Sequence, residues 1–253
     1  MLPSFKPETY QDVKKTLMWY TTVLLSVISL LFYFLLLSSD QRDFINSLMR
    51  NITPNPFIGP GIFLTFSTFI AWWMISIFEI HDKVYDKYFV KWRYWYYVDF
   101  IFPRLFKPFI TNLPQRFFEV ASENVNEYKK IFYHFAGDGA TKINTNLKVR
   151  FYEKITKYWI TQINEIFLFL SFIAIVILKN TLSIRYNVTF NALVIISILF
   201  IINRIFVKAT RISVRDATND EIEDIHKNHL SELEEQIKST CQKFGLRYGS
   251  EKN

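Results

Sequence analysis

The chain has 253 residues, a formal net charge of +7, 50% hydrophobic residues and 18% aromatic residues. The mean hydropathy is nevertheless only +0.10, which indicates that apolar blocks alternate with strongly charged ones. Cys241 is the only cysteine, and this excludes an internal disulfide, an iron–sulfur cluster and a multi-cysteine zinc site. With only six glycines, the composition also disfavours glycine-rich phosphate loops.

Four apolar blocks are each long enough to cross the hydrocarbon core of a bilayer, which takes about 20 residues: 18–37, 57–80, 158–178 and 188–207. The alternative for the first block is a signal peptide, but the block is too long and no small-residue cleavage site follows it. About nine residues separate the last two blocks, so they are expected to form an antiparallel hairpin. Three spans are the alternative if the third block, which contains Gln162, Asn164 and Glu165, lies differently.

The distribution of Lys and Arg predicts the orientation of the spans. The 1–17 segment, the 81–157 insert and the 208–253 tail together hold 25 of these residues, whereas the two loops on the other side hold four. Positive residues collect on the cytoplasmic side of a membrane. A multi-pass membrane protein with both termini and the long insert in the cytoplasm is therefore predicted, and its positive charge follows from this topology.

The cytoplasmic segments show helical periodicity. Pro114–His134 and a stretch near Asn146–Tyr158 have apolar residues at helical spacing, and the second stretch is expected to run into the third span. In the tail, Thr218 and Glu221 form a capping-box pattern that predicts the start of an acidic helix over 218–244. The predicted fold is all-α, a four-helix transmembrane protein with a helical cytoplasmic insert and a C-terminal amphipathic helix.

Polar groups inside the predicted spans are the first candidate site, because burying them in hydrocarbon costs several kcal/mol unless they are paired. At about 1.5 Å per residue, Glu165 and Arg204 lie at similar depths in the cytoplasmic leaflet, so we expect them to pair. The functional interpretation is an ion path, and the alternative is a structural salt bridge. The candidate residues are Glu79, Asn164, Glu165, Asn203 and Arg204.

The start of the cytoplasmic insert combines basic and aromatic residues. Such a helix either lies in the headgroup layer or continues the second span into the cytoplasm. Because it directly follows a span, the anionic lipid of the inner leaflet is favoured over nucleic acid as its partner. The candidate membrane-interface residues are Lys83, Lys87, Lys91, Trp92, Arg93 and Trp95.

An apolar stripe on the acidic tail helix is a candidate contact surface. Three partners are open: the basic insert of this chain or of a neighbouring copy, a second copy of the same helix, and a soluble cytoplasmic protein. The stripe is too short to establish a coiled coil. Its residues are Ile222, Ile225, Leu230, Leu233 and Ile237.

No catalytic set, nucleotide-binding loop or cofactor motif is identifiable, so we predict that the protein is not an enzyme and binds no cofactor. His226 and His229 lie three residues apart on the predicted tail helix, a spacing that can bind a metal. No second pair of ligands accompanies them in the sequence, and no metal site is predicted.

The order of two spans, a helical insert, two spans and a helical tail is similar to that of two groups of proteins. One group is the small four-span effectors of bacterial anti-phage systems, which permeabilise the membrane, and the other is the bestrophin-like anion channels, which assemble as rings. The resemblance implies an oligomeric channel or membrane-permeabilising effector controlled through its cytoplasmic helices. The alternative is a non-conducting membrane anchor or scaffold that recruits a soluble cytoplasmic partner.

Overall fold

The computed structural model describes residues 6–31, 43, 47, 58–77, 94–181 and 186–249, and every regular element in them is helical. The all-α prediction is therefore confirmed for these residues. Short π-helical segments lie at Trp73–Ile77 and Tyr94–Ile101, and a 3₁₀ turn lies at Lys107–Phe109. The α-helices are α1 (Tyr10–Leu31), α2 (Ile58–Trp72), α3 (Phe102–Leu105), α4 (Phe117–Glu123), α5 (Val125–Ala136), α6 (Thr145–Thr181), α7 (Tyr186–Asn228) and α8 (Leu230–Lys243).

The chain forms two compact units, which are described separately. Among the described residues, the second unit comprises 6–13, 94–155 and 211–249. Helices α6 and α7 contribute residues to both units. The described residues of the first unit are 14–31, 43, 47, 58–77, 156–181 and 186–210.

Within the described residues, two helices are long and apolar enough to cross a membrane, by length and composition. Helices α6 and α7 have 37 and 43 residues, which correspond to roughly 55 and 65 Å at the usual helical rise. Their most apolar windows have mean hydropathies of 2.1 and 2.3. They contain the predicted third and fourth spans. The predicted spans at 18–37 and 57–80 extend beyond the described residues.

The second unit is built on a buried aromatic core. Phe117 packs edge-to-face against Phe106 and Tyr128, with ring centres 5.0 and 5.2 Å apart. Tyr128 stacks on Phe244 at 5.5 Å, which ties the end of α8 to α5. Phe106, Phe117 and Tyr128 are fully buried. Edge-to-face and offset-stacked rings are favourable in addition to the apolar area that they bury.

The insert departs from the predicted single helix over 114–134, because α4 ends at Glu123 and α5 begins at Val125. Asn124 interrupts the helix with φ −117° and ψ 41°. Its side-chain amide donates to the carbonyl oxygen of Val120 at 3.0 Å, and its own carbonyl oxygen accepts from the amide of Glu127 at 2.9 Å. An asparagine side chain that bonds the neighbouring backbone competes with helix continuation in this way. The expected continuation of the next segment into the third apolar block is confirmed, since α6 is continuous.

The predicted helix start at Thr218 is wrong. Helix α7 runs without interruption through this position to Asn228. The Thr218 hydroxyl donates to the carbonyl oxygen of Val214 at 3.0 Å, one turn earlier, and also bonds the Tyr96 hydroxyl. The helix breaks instead at His229, between α7 and α8. Because Thr218 is fully buried, tertiary packing has replaced the capping role that the local pattern predicted.

Candidate functional site

The candidate site in the first unit lies between α6 and α7. One guanidinium nitrogen of Arg204 donates to a carboxylate oxygen of Glu165 at 2.7 Å, so the expected ion pair is present. The adjacent Asn203 is buried, and its side-chain amide donates to the carbonyl oxygen of Thr161 at 2.9 Å. Thr161 and Glu165 are one helical turn apart, so the two contacts join the same stretch of α6 to α7.

Asn164 extends these polar contacts to α1. The hydroxyl of Tyr20 donates to the side-chain oxygen of Asn164 at 2.6 Å. Asn164 and Glu165 are neighbours on α6, yet one bonds α1 and the other bonds α7. Gln162 is only 1% exposed, and its side-chain nitrogen has no hydrogen-bond partner in the described part of the chain. The first unit therefore holds a group of polar side chains on α1, α6 and α7. We call this group the polar layer, and its members are Tyr20, Thr161, Gln162, Asn164, Glu165, Asn203 and Arg204.

The two members of the ion pair differ in exposure. The Glu165 side chain is 14% exposed, whereas the Arg204 side chain is 57% exposed. The helices around them are also largely uncovered, because only 22% of the most apolar window of α6 and 6% of that of α7 is buried inside the chain. The pair thus places a largely exposed cation, the Arg204 guanidinium, on an apolar helix surface.

A cleft of about 530 Å³ lies between α1 and α2 in the first unit. Three of its lining residues are threonines, and Thr22 donates its hydroxyl hydrogen to the carbonyl oxygen of Met18 at 2.9 Å. Thr21 is fully buried, and its hydroxyl donates to the carbonyl oxygen of Leu17 at 2.7 Å. Both threonines thus bond the backbone of their own helix.

Most of the predicted membrane-interface residues, together with Glu79, lie outside the described residues. Trp95 is described and stands in the second unit, where it is half-buried. The guanidinium carbon of Arg211 lies 3.4 Å from the centre of its ring, and that of Arg215 lies 4.1 Å from it. The undescribed candidates are Lys83, Lys87, Lys91, Trp92 and Arg93.

The apolar stripe of the tail packs inside its own chain. Ile222 is 3% exposed, and Ile225, Leu233 and Ile237 are fully buried. Leu230 is 41% exposed, and it is the member of the stripe that is open to another molecule. Contact of the other four with a partner would require them first to leave the core of the second unit.

Charged groups of the tail also bond the insert of the same chain. Glu232 on α8 forms an ion pair with Lys142 and a hydrogen bond with a ring nitrogen of His134, the latter at 2.8 Å. The ring nitrogens of His226 and His229 bond the backbone oxygens of Leu105 at 2.9 Å and Lys142 at 2.8 Å. Within the described residues no cluster of three potential metal ligands occurs.

Glu221 is a residue whose burial sequence reasoning missed. It is only 1% exposed, and neither of its carboxyl oxygens has a hydrogen-bond partner among the residues that the structure describes. Burial raises the pKa of the Glu221 carboxyl well above its usual value, and the charge of Lys148 offsets this only in part. The ammonium of Lys148 donates instead to the backbone oxygens of Gly137, at 3.1 Å, and Ala140. A usable signal was the spacing of Val214, Thr218, Glu221 and Ile225, which puts the glutamate on a buried helix face.

No family model, curated protein or solved structure matches this chain.

Proposed function

We propose that this chain is an integral membrane protein with four spans and both termini in the cytoplasm, and that several copies assemble into a channel or membrane-permeabilising effector. The observation that carries the proposal is the open side of the Glu165–Arg204 pair. Arg204 has a carboxylate partner on one side and is 57% exposed on a helix of high hydropathy. The proposal includes a function in bacterial anti-phage defence, which is what the resemblance to four-span effectors implies.

An arginine at the surface of an apolar helix is costly in lipid, by about 3 kcal/mol at the centre of a span. Such residues therefore face a water-filled path, a polar group of another subunit or the membrane interface. Because α6 and α7 leave most of their apolar windows uncovered within one chain, further copies have a surface on which to pack. The polar layer of each copy would then line a path between subunits.

Helix continuity supports the proposed control through the cytoplasmic helices. Helix α6 runs from Thr145 to Thr181 and α7 runs from Tyr186 to Asn228, so each passes from the first unit into the second without a break. A long helix is a stiff connection between its two ends. Glu165 and Arg204 lie on these helices, and we propose that a ligand or partner of the second unit acts on them.

Expression in bacteria tests this function. We expect the wild-type chain to slow growth and to depolarise the inner membrane, as followed with a potential-sensitive dye. Glu165→Ala and Arg204→Ala are expected to abolish depolarisation at matched levels of membrane-inserted protein, because each removes a charge from the proposed path. Lys208→Ala is the control, since it removes an exposed cation one turn after Arg204. Equal depolarisation by all four proteins would contradict the proposed path.

The alternative, a non-conducting anchor that recruits a soluble partner, has less support. Four of the five stripe residues on the tail are buried within the chain, so a deletion from 218 onward would remove part of the core of the second unit as well as any docking surface. Leu230→Lys is the sharper variant, because Leu230 is 41% exposed. If this substitution abolishes function without changing thermal stability, and conductance is absent throughout, the anchor is favoured.

A further inference from the structure

We propose that Arg104, Arg211 and Arg215 form a binding site for a phosphate group in the second unit. The site would take the phosphate of a phospholipid headgroup or of a soluble phosphate compound, since both present the same oxygen atoms. This inference does not depend on whether the protein conducts ions, because all three residues belong to the second unit.

Two of the arginines share one aromatic ring. Arg211 and Arg215 are one helical turn apart on α7, and their guanidinium carbons lie 3.4 and 4.1 Å from the centre of the Trp95 ring. Both distances are within the range of cation–π attraction. Trp95 therefore contacts both guanidinium groups.

The third arginine of the site, Arg104, contacts a second aromatic ring. Trp95 and Phe100 are stacked, with ring centres 6.4 Å apart and planes inclined by 15°. The guanidinium carbon of Arg104 lies 4.1 Å from the centre of the Phe100 ring, and that of Arg215 lies 5.2 Å from it. Arg104 also donates to the carbonyl oxygen of Phe100 at 3.2 Å, which fixes its position.

The three charges lack a carboxylate partner among the described residues. Arg211 and Arg215 each have a buried Nε atom that bonds none of the described residues. Desolvation lowers the pKa of Arg215, and the neighbouring charges of Arg211 and Arg104 lower it further. Other basic groups of the same unit do have acidic partners, as Arg150 has Asp220. Arg104, Arg211 and Arg215, which we call the arginine cluster, thus concentrate positive charge. A bound anion would neutralise part of this charge.

Phosphate, which presents several oxygen atoms, fits this arrangement better than an anion that acts as a single point charge. The N–H groups of a guanidinium lie in its plane, so stacking on a ring leaves its edge available for paired hydrogen bonds to phosphate oxygens. Arg104 is exposed, and Arg211 and Arg215 are half-buried, so the cluster is accessible to a ligand from solution. Lysine lacks the planar fork and would not replace arginine at such a site.

The experiment uses the full-length protein in detergent, with three probes added separately: inorganic pyrophosphate, dioctanoyl phosphatidylglycerol and dioctanoyl phosphatidylcholine. Binding is followed by the shift in thermal unfolding midpoint over a titration of each probe. The key variant is Arg211→Lys/Arg215→Lys, which keeps the charge and removes the fork geometry. The matched control is Lys154→Gln/Lys227→Gln, which removes two cations elsewhere in the second unit.

We expect pyrophosphate, phosphatidylglycerol or both to raise the midpoint of the wild type, with phosphatidylcholine giving a smaller shift. In the lysine variant, the affinity for the probe that binds the wild type should fall by about tenfold or more, because hydrogen bonds to charged groups are lost. A response to phosphatidylglycerol alone identifies a lipid headgroup, and a response to pyrophosphate identifies a soluble phosphate.

Three outcomes would overturn the proposal. They are the absence of any shift with either anionic probe, an undiminished shift in the lysine variant, and an equal loss in the control variant. Unfolding midpoints without a probe, compared between the wild type and the variants, establish that each variant is folded before its binding is interpreted.

Discussion

Glu165→Leu alone is expected to destabilise the protein by about 1 kcal/mol, more than the double substitution Glu165→Leu/Arg204→Leu. The single change leaves the Arg204 guanidinium without the carboxylate that it contacts at 2.7 Å. The double change leaves no unpaired charge and adds apolar surface, which suits the helices α6 and α7. Thermal unfolding in lipid nanodiscs, arranged as a double-mutant cycle, measures the coupling between the two residues.

The matched control is Lys208→Leu, which removes an exposed cation from α7 and should leave the midpoint nearly unchanged. A coupling energy near zero, calculated from both single variants and the double variant, would mean that the pair contributes nothing to stability. Conductance of the folded double variant then separates the two roles of the pair. Altered ion selectivity indicates a lining role, whereas unchanged conductance indicates a structural salt bridge alone.

Glu221→Gln is expected to stabilise the second unit at neutral and alkaline pH. The ordinary pKa of a glutamate carboxyl is 4.5, and in the native state the pKa of Glu221 is raised well above this value. At a pH between the two values, Glu221 is protonated in the native state and ionised in the unfolded chain. The unfolded state therefore binds fewer protons, and the wild type loses stability as pH rises from this ordinary value toward the raised native pKa. At pH 8 the variant should be about 2 kcal/mol more stable, which corresponds to an increase of roughly 4–8 °C in midpoint.

Thermal unfolding of the full-length chain between pH 5 and pH 8 measures this effect. The gap between Glu221→Gln and the wild type should widen as the pH rises. Glu223→Gln, an exposed position two residues along the same helix, should follow the wild type. A variant that is less stable than the wild type at pH 8 would show that Glu221 is ionised and stabilised by Lys148.

The pairing of Glu165 with Arg204 was predictable because a helix converts residue number into depth. Once two adjacent apolar blocks are read as an antiparallel hairpin, the rise per residue places both charges at one level. The direction in which each side chain faces was not predictable. Asn164 turns to Tyr20 on α1, which depends on a helix packing that periodicity does not specify.

The tail shows where local pattern failed. Thr218 and Glu221 have the spacing of a capping box, yet α7 continues through them because the surrounding face, including Val214 and Ile225, is buried. Tertiary burial outweighed a capping preference that is usually worth about 1 kcal/mol. The same burial leaves a carboxyl group in the core, which a surface capping role would not require.

The arginine cluster lay beyond sequence reasoning for a different reason. Arg211 and Arg215 were visible as a basic stretch after the fourth apolar block, but Arg104 and Phe100 lie far from them in the sequence. Trp95 was predicted as an interface residue, and its contact with Arg211 and Arg215 depends on the packing of the insert against α7. Long-range contacts between aromatic rings and cations leave no periodic signal in the sequence.

Conductance of the purified wild-type protein in planar bilayers, with its mass in detergent measured on the same sample, tests the central proposal most directly. The proposal predicts discrete conductance steps from an assembly of several copies. A single-copy species that leaves the bilayer silent would contradict an oligomeric channel, and would direct attention to the anchor alternative and to the exposed Leu230.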